Sequence, residues 1–251
     1  MERDSPAASR KPLLSVIIPA YNERDTIANT IALVRAAPVD KEIIVVDDGS
    51  TDGTWEVLRE LAGPDLLVLH LLRNFGKGTA IRTAIPHVQG DIVIIQDADA
   101  EYDPNEYPKL VAPIVAGQAQ VVYGSRFLEV QEAEAGGKSR PRLRWPEGMR
   151  PANWFINRLL AVMANVLFRA RITDEATCYK VFRAEVLESI QLNCRGFEFC
   201  PEVTAKVRRR GIPIMEVPIS YKARSFQQGK KINWRDGFRA IWALVKYRFR
   251  D

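Results

Sequence analysis

Five short apolar runs alternate with stretches of helical spacing, and this alternation restricts the fold more than any other feature. The runs are LSVIIPA (14–20), EIIVVDD (42–48), LLVLHLL (66–72), DIVIIQD (91–97) and AQVVYGS (119–125). Helical spacing follows at Thr26 to Ala36, Thr54 to Leu61, Gly78 to Ile85 and Asn105 to Ala116. The runs are apolar throughout, not at every second residue, as expected of strands covered on both faces. The pattern predicts an α/β domain on a mainly parallel sheet with flanking helices. With 251 residues and 47% apolar content, the chain can bury a sizeable core in one domain, expected here over residues 13–233.

The pattern lapses in three places. Residues 1–12, MERDSPAASRKP, are polar and read as a disordered tail without a secretory signal. Residues 125–152, which include EVQEAEAGGKSRPRLRWPEG, read as a long loop, either disordered or a mobile flap over an acceptor. WFINRLLAVMANVLF follows within an expected helix at 154–169 that is apolar nearly all round, so it needs cover from protein, an oligomer contact or a bilayer. Beyond an extended segment, IPIMEVPISY, an amphipathic helix is expected over 234–251. No run reaches the length of a membrane span, and the expected location is cytoplasmic. Cys178, Cys194 and Cys200 are odd in number and lack paired CxxC spacing, which fits a reducing compartment and ordinary packing.

In parallel α/β sheets, ligands sit beyond the carboxyl ends of the strands, and the polar residues gather there. Run by run, the ends are AYNE, DDGSTDG, RNFGKG, DADAE and GSR. One such end is ordinary, because Asp and Asn suit turns and helix caps; Thr51 or Asp52 is expected to cap the helix beginning GTWEVL. Five on one edge point to a ligand site. The sharpest is the fourth, where Asp97, Asp99, Glu101 and Asp103 crowd four acids into seven residues. Clustered carboxylates raise one another's pKa unless a cation sits among them, and a site of a few oxygens suits Mg²⁺ or Mn²⁺ shared with substrate phosphates. Asp103 is explained as a cap before PNEYPKLV. FGKGTA is not a phosphate loop of the GxxxxGK[ST] type, because Gly78 follows the lysine.

From Leu13 to Tyr247, the ordered set PAYNE, DDGSTDGT, RNFGKG, DADAEYDP, GSR, ATCYKVFR and YKARSFQQGKKINWRDG resembles family 2 glycosyltransferases of the Rossmann-like GT-A fold. Among them it is most similar to the polyprenol-phosphate sugar synthases. The resemblance implies Asp99 and Glu101 as ligands of Mg²⁺ or Mn²⁺, with Asp97 and Ala98 beside a nucleotide sugar. It implies Pro19, Tyr21, Glu23, Val46 and Asp48 around base and ribose, while Asp47 either joins them or orients their loop. Lys77 then contacts donor groups or an acid of the site. Arg126, Lys180, Arg224 and Lys230 are implied as cations that offset the charge of two phosphate-bearing substrates, Arg126 and Arg224 in the chemical step.

The implied donor is a GDP- or UDP-sugar carrying a hexose, mannose or glucose, and the implied acceptor is polyprenyl or dolichyl phosphate. Such a phosphate is already ionised at neutral pH, so inverting displacement needs no strong general base. That matches a chain with two histidines, His70 and His87, both read as structural. Residues 201–251 carry 13 bases against 4 acids, net +9, while the rest sums to −4. The last helix sets Trp234, Phe238, Ile241, Trp242, Val245 and Phe249 on one face near Arg235, Arg239, Lys246 and Arg250. It reads either as an interfacial helix on anionic lipid, making the protein peripheral to the cytoplasmic face of a membrane, or as a cover for the sheet. Transfer to a soluble glycan or another lipid hydroxyl would need a base, for which Asp174 and Glu175 are available. A binding module without turnover would be expected to lose the metal acids. Nucleic acid is the weakest partner, since the bases do not line one recognition helix.

Overall fold

The computed structural model describes residues 13–130, 141–222 and 234–250. It has the expected α/β architecture. In chain order the first elements are β1 (Leu14–Ala20), α1 (Arg24–Ala36), β2 (Lys41–Asp47), α2 (Thr54–Leu61), β3 (Leu66–His70), α3 (Lys77–Ala84), β4 (Ile92–Ile95), α4 (Tyr107–Val115) and β5 (Val121–Ser125). Then come β6 (Leu128–Val130), β7 (Pro141–Leu143), α5 (Pro151–Phe168), β8 (Lys180–Arg183), α6 (Ala184–Ser189), α7 (Phe199–Arg209), β9 (Ile214–Pro218) and α8 (Trp234–Phe249).

Among the described residues, seven strands form one sheet in the order β3-β2-β1-β4-β8-β5-β9. Ile17 of β1 pairs in register with Ile44 of β2 and Ile95 of β4, all essentially inaccessible to solvent. α1 presents Ile27, Thr30, Ile31 and Val34, the i, i+3, i+4, i+7 stripe of a helix seated on a core. α3 packs on β1 and β2, and α4 on β5 and β8.

β8 was not expected as a strand. Its four residues, KVFR, run antiparallel between β4 and β5, pairing Val181 with Ile94 and Val122. Because it is antiparallel to both neighbours, β4 and β5 still point the same way, and β9 is parallel to β5. Every decorated strand end therefore emerges on one edge, where β8 begins.

Three expectations change in detail. The 125–152 segment is more than loop: β6 and β7 pair antiparallel, and Arg144 donates to the Arg126 and Ile219 carbonyls at 3.0 and 2.7 Å. Trp145 stacks on Trp154 at 5.0 Å, and α5 begins at Pro151, whose lost N–H costs nothing in a first turn. α2 is preceded at its cap position by Gly53, with φ 97°, so neither Thr51 nor Asp52 is the cap. Asp52 instead accepts from the Thr54 and Arg24 amides at 3.0 and 3.1 Å.

Of the aromatic stripe expected on α8, Phe238, Trp242 and Phe249 face outward, whereas Ile241 packs against the core. Ala240, Ala243, Leu244 and Tyr247 are buried against α5 and α7, while Phe238, Trp242 and Phe249 are 65–80% exposed. Two apolar stripes compete on this helix, and the one with small residues allows the closer helix approach.

Candidate active site

The site is built from the loops leaving β1, β2, β3, β4, β5 and β9. The first two are stitched together: the Asn22 amide donates to the Ser50 hydroxyl, Thr51 N to the Asn22 side chain, and Glu23 N to the Thr54 hydroxyl, at 2.8–2.9 Å. Tyr21 and Glu23 are half-buried at this rim, as is Pro19 at the end of β1. Asp47 accepts from the Ser50 hydroxyl and from His70 Nδ1, the latter at 2.7 Å, so it holds its own loop and gives His70 a structural partner.

Asp48 accepts from the Phe75 and Gly76 amides at 2.8 and 2.7 Å, which ties the loop after β2 to the loop after β3. Burial pushes its carboxyl above the usual range against the pull of those two amides. Val46 is corrected in place: it lies inside β2, not after it, and its side chain is buried.

Gly76 shows how closely this edge is packed. Its φ is 98°, and a Cβ there would stand 2.5 Å from the Arg195 carbonyl. The turn at 193–198 that presses on it is held by two carboxylates. Glu202 accepts from the Asn193 and Cys194 amides, and Glu198 from those of Arg195 and Gly196. Directly after Gly76, Lys77 is aimed at Asp97 and forms an ion pair with it. Burial pulls the Lys77 ammonium down, but Asp97 and the nearby thiols Cys178 and Cys200 outweigh it and leave the group above its ordinary value. Of the two expected partners for Lys77, the geometry gives the acid.

Gln96, fully buried, anchors the acidic stretch by accepting from the Tyr107 and Tyr179 hydroxyls at 2.7 and 2.9 Å. Ala98 is buried and its carbonyl accepts from Thr30. Asp99 and Glu101 follow, joined by a 3.1 Å bond from the Glu101 amide to Asp99 Oδ1. Glu101 Oε2 accepts from the Tyr221 hydroxyl at 2.9 Å. Asp103 caps the turn at Pro104 by accepting from Asn105 N, as expected.

Among the described residues, no group of three or more His, Cys, Asp or Glu could enclose a metal ion. Two carboxylates fit a cation of another kind. Mg²⁺ and Mn²⁺ are commonly held by one or two carboxylates with substrate phosphate oxygens and water completing the shell, and Asp99 and Glu101 supply that donor set. Asp97 is paired with Lys77.

The cations divide. Arg126, directly after β5, makes a bidentate pair with Asp174 at 2.7 and 2.8 Å, and the pair is nearly sealed from solvent. Burial pulls this guanidinium down, and Asp174 more than reverses it, so the group stays well above its ordinary value. Sequence reasoning missed Asp174 as its partner, because 48 residues separate them and only the fold joins them. Lys180 is corrected: at zero exposure its ammonium lies 3.7 Å from the Tyr123 ring centre and donates to the Glu175 carbonyl at 2.8 Å, facing the interior and not a donor on the sheet edge. Arg224 and Lys230 lie outside the described residues.

Residues 15–190 match the family model described as glycosyl transferase family 2. The chain is 32% identical over 237 residues to the low-salt glycan biosynthesis hexosyltransferase Agl6 of Haloferax volcanii, covering 92% of itself but 52% of that protein. It is 29% identical to the undecaprenyl-phosphate mannosyltransferase of Micrococcus luteus, covering 85% of each. It is also 29% identical to the dolichol-phosphate mannosyltransferase of Pyrococcus furiosus, where it covers 93% of itself and 64% of the relative. The chain thus spans about half to most of the length of these relatives. Among solved structures, glucosyl-3-phosphoglycerate synthase of Mycobacterium tuberculosis superposes with a TM-score of 0.69 at 21% identity, over 96% of this chain and 82% of that one. The same enzyme with Mn²⁺, UDP and phosphoglyceric acid gives 0.67.

Proposed function

The chain belongs to glycosyl transferase family 2, and from that premise we propose that it moves a hexose from a nucleoside-diphosphate sugar to a polyprenyl or dolichyl phosphate, with inversion, at the cytoplasmic face of a membrane. The observation that carries the reading is the edge itself: Asp48, the Lys77–Asp97 pair, Asp99 and Glu101 gather along one edge of the sheet. Relatives named as undecaprenyl- and dolichol-phosphate mannosyltransferases support the acceptor class.

In this reading Pro19, Tyr21, Glu23 and Asp48 receive base and ribose of a GDP- or UDP-sugar, with Lys77, Asp97 and Ala98 next to the diphosphate. Asp99 and Glu101 hold Mg²⁺ or Mn²⁺. When bound, the cation stabilises charge on the departing diphosphate. Asp97 lowers the cost of keeping an ammonium at that place, so Lys77 stays charged beside the donor. Arg126, fixed by Asp174, presents a cation whose orientation is set before substrates arrive, which lowers reorganisation in the transfer step. By sequence alone, Arg224 is kept as a cation of the transfer step and Lys230 as one for the donor. An acceptor phosphate needs no base. A hydroxyl acceptor would, and Asp174 and Glu175 are fully buried, Asp174 with both oxygens on Arg126.

No helix among the described residues is long and apolar enough to cross a membrane. Peripheral contact is assigned to the exposed Phe155, Val162 and Val166 of α5 together with Phe238, Trp242 and Phe249 of α8.

The test incubates the protein and Mn²⁺ with a panel of GDP- and UDP-sugars and polyprenyl phosphate, and identifies the lipid product by mass. A single sugar-phosphoprenol product is expected, abolished by chelation and by Asp99→Ala. Transfer only to hydroxyl acceptors, or full activity in excess EDTA, overturns the reading.

A further inference from the structure

Tyr221 belongs to none of the roles assigned so far, yet it joins three parts of the site. It follows β9 on the same sheet edge and is 7% exposed. Its hydroxyl donates to Glu101 Oε2 at 2.9 Å, and the next residue, Lys222, donates its amide to the Glu101 carbonyl at 3.1 Å. Glu101 is therefore gripped at side chain and backbone by one short segment 120 residues away in sequence. The Tyr221 ring packs edge-on against Tyr102 with centroids 5.5 Å apart, and the Arg126 guanidinium carbon lies 5.1 Å from its ring centre.

We propose that Tyr221 is a positioning residue that sets the Glu101 carboxylate beside Asp99 for a divalent cation and links it to Arg126. This rests on the metal reading above. Glutamate turns about three side-chain bonds, and a cation must order it. A phenol that already fixes one oxygen has done part of that ordering, and each carboxylate oxygen has a second lone pair for a metal. Outer groups of this kind orient the ligands they touch. The ring does a separate job, since its face receives Arg126. Tyr221→Phe keeps the ring and removes only the hydroxyl, so it isolates the first role.

The experiment is Mn²⁺ binding by calorimetry, in the presence of UDP or GDP and without acceptor, so that nothing turns over. Wild type, Tyr221→Phe, Glu101→Ala, the double variant and Asp99→Ala are compared, with circular dichroism to follow folding. Tyr221→Phe is expected to weaken Mn²⁺ binding roughly 10- to 100-fold with an unchanged spectrum. In the Glu101→Ala background the same change is expected to do nothing further. The Mn²⁺ concentration for half-maximal rate should rise likewise, while the rate at saturating Mn²⁺ stays within a few-fold of wild type. Wild-type Mn²⁺ affinity in Tyr221→Phe, beside a loss in Asp99→Ala, overturns this inference alone, as does an additive effect in the double variant. A wild-type protein that binds no Mn²⁺ overturns it together with the metal reading.

Discussion

The Arg126–Asp174 pair separates two things a substitution can do at a single residue. Removing one member of a sealed ion pair leaves the other charge buried and unpaired, typically a loss of about 3–5 kcal/mol. Arg126→Ala is therefore expected to destabilise the protein by that much and to lower turnover roughly 10- to 1000-fold if the cation acts on the transfer. The Arg126→Ala/Asp174→Ala double variant should recover much of the stability, read by urea unfolding, and none of the turnover. Turnover that returns with stability would remove Arg126 from the chemistry. The same residues mark where sequence reasoning reaches its limit. Asp97, Asp99 and Glu101 stand out in the sequence because acids crowded after a buried run repel one another and call for a cation among them. Lys180 is not, because a lysine in a motif has the same letter whether it meets a phosphate or, as here, an aromatic ring and a carbonyl inside the protein.

Elements were legible in proportion to how much of their pattern is local. The apolar runs of β1, β2, β4 and β5 announce themselves; β8 does not, because KVFR is a strand only through neighbours contributed by distant parts of the chain. α8 carries both kinds of information. Ala240, Ala243, Leu244 and Tyr247 obey helical spacing as well as the aromatic stripe does, and burial alone distinguishes them. The outward stripe includes Phe238 and Trp242, with Arg239 and Lys246 exposed on the same helix. Replacing Phe238 and Trp242 by Ser is therefore expected to leave the circular dichroism spectrum intact and to weaken flotation with anionic vesicles. High salt should release the wild type as well, since each base near an anionic surface contributes about 1 kcal/mol and is screened. A folded double variant that floats like wild type moves the membrane contact elsewhere.

At the scale of the whole molecule, one buried acid ties stability to pH. Neither Glu175 oxygen has a hydrogen-bond partner of normal geometry among the described residues, and the nearby Thr204 hydroxyl is engaged with Tyr123. Burial pushes the carboxyl up to about 8, against the pull of Lys180 and Thr204. Its folded value lies above the unfolded one, so the folded state holds the extra proton between about 4.5 and 8. The stability linked to that proton is fully present below the unfolded value and is lost as pH rises through the folded one. The loss is on the order of a few kcal/mol. Urea midpoints at pH 5 and pH 8.5 should fall further for wild type than for Glu175→Gln, and equal falls would sink the idea. The place of β8 has a consequence of another kind, for the order in which the protein is made. β4 is complete at Ile95 and β5 at Ser125, yet the strand between them arrives only with Lys180–Arg183. Until the ribosome has added those residues, the apolar β4 is an open sheet edge, free to pair with a strand from another chain. A nascent chain stalled in the 55 or so residues between Ser125 and Lys180 is thus the form most exposed to aggregation, whatever the stability of the finished enzyme.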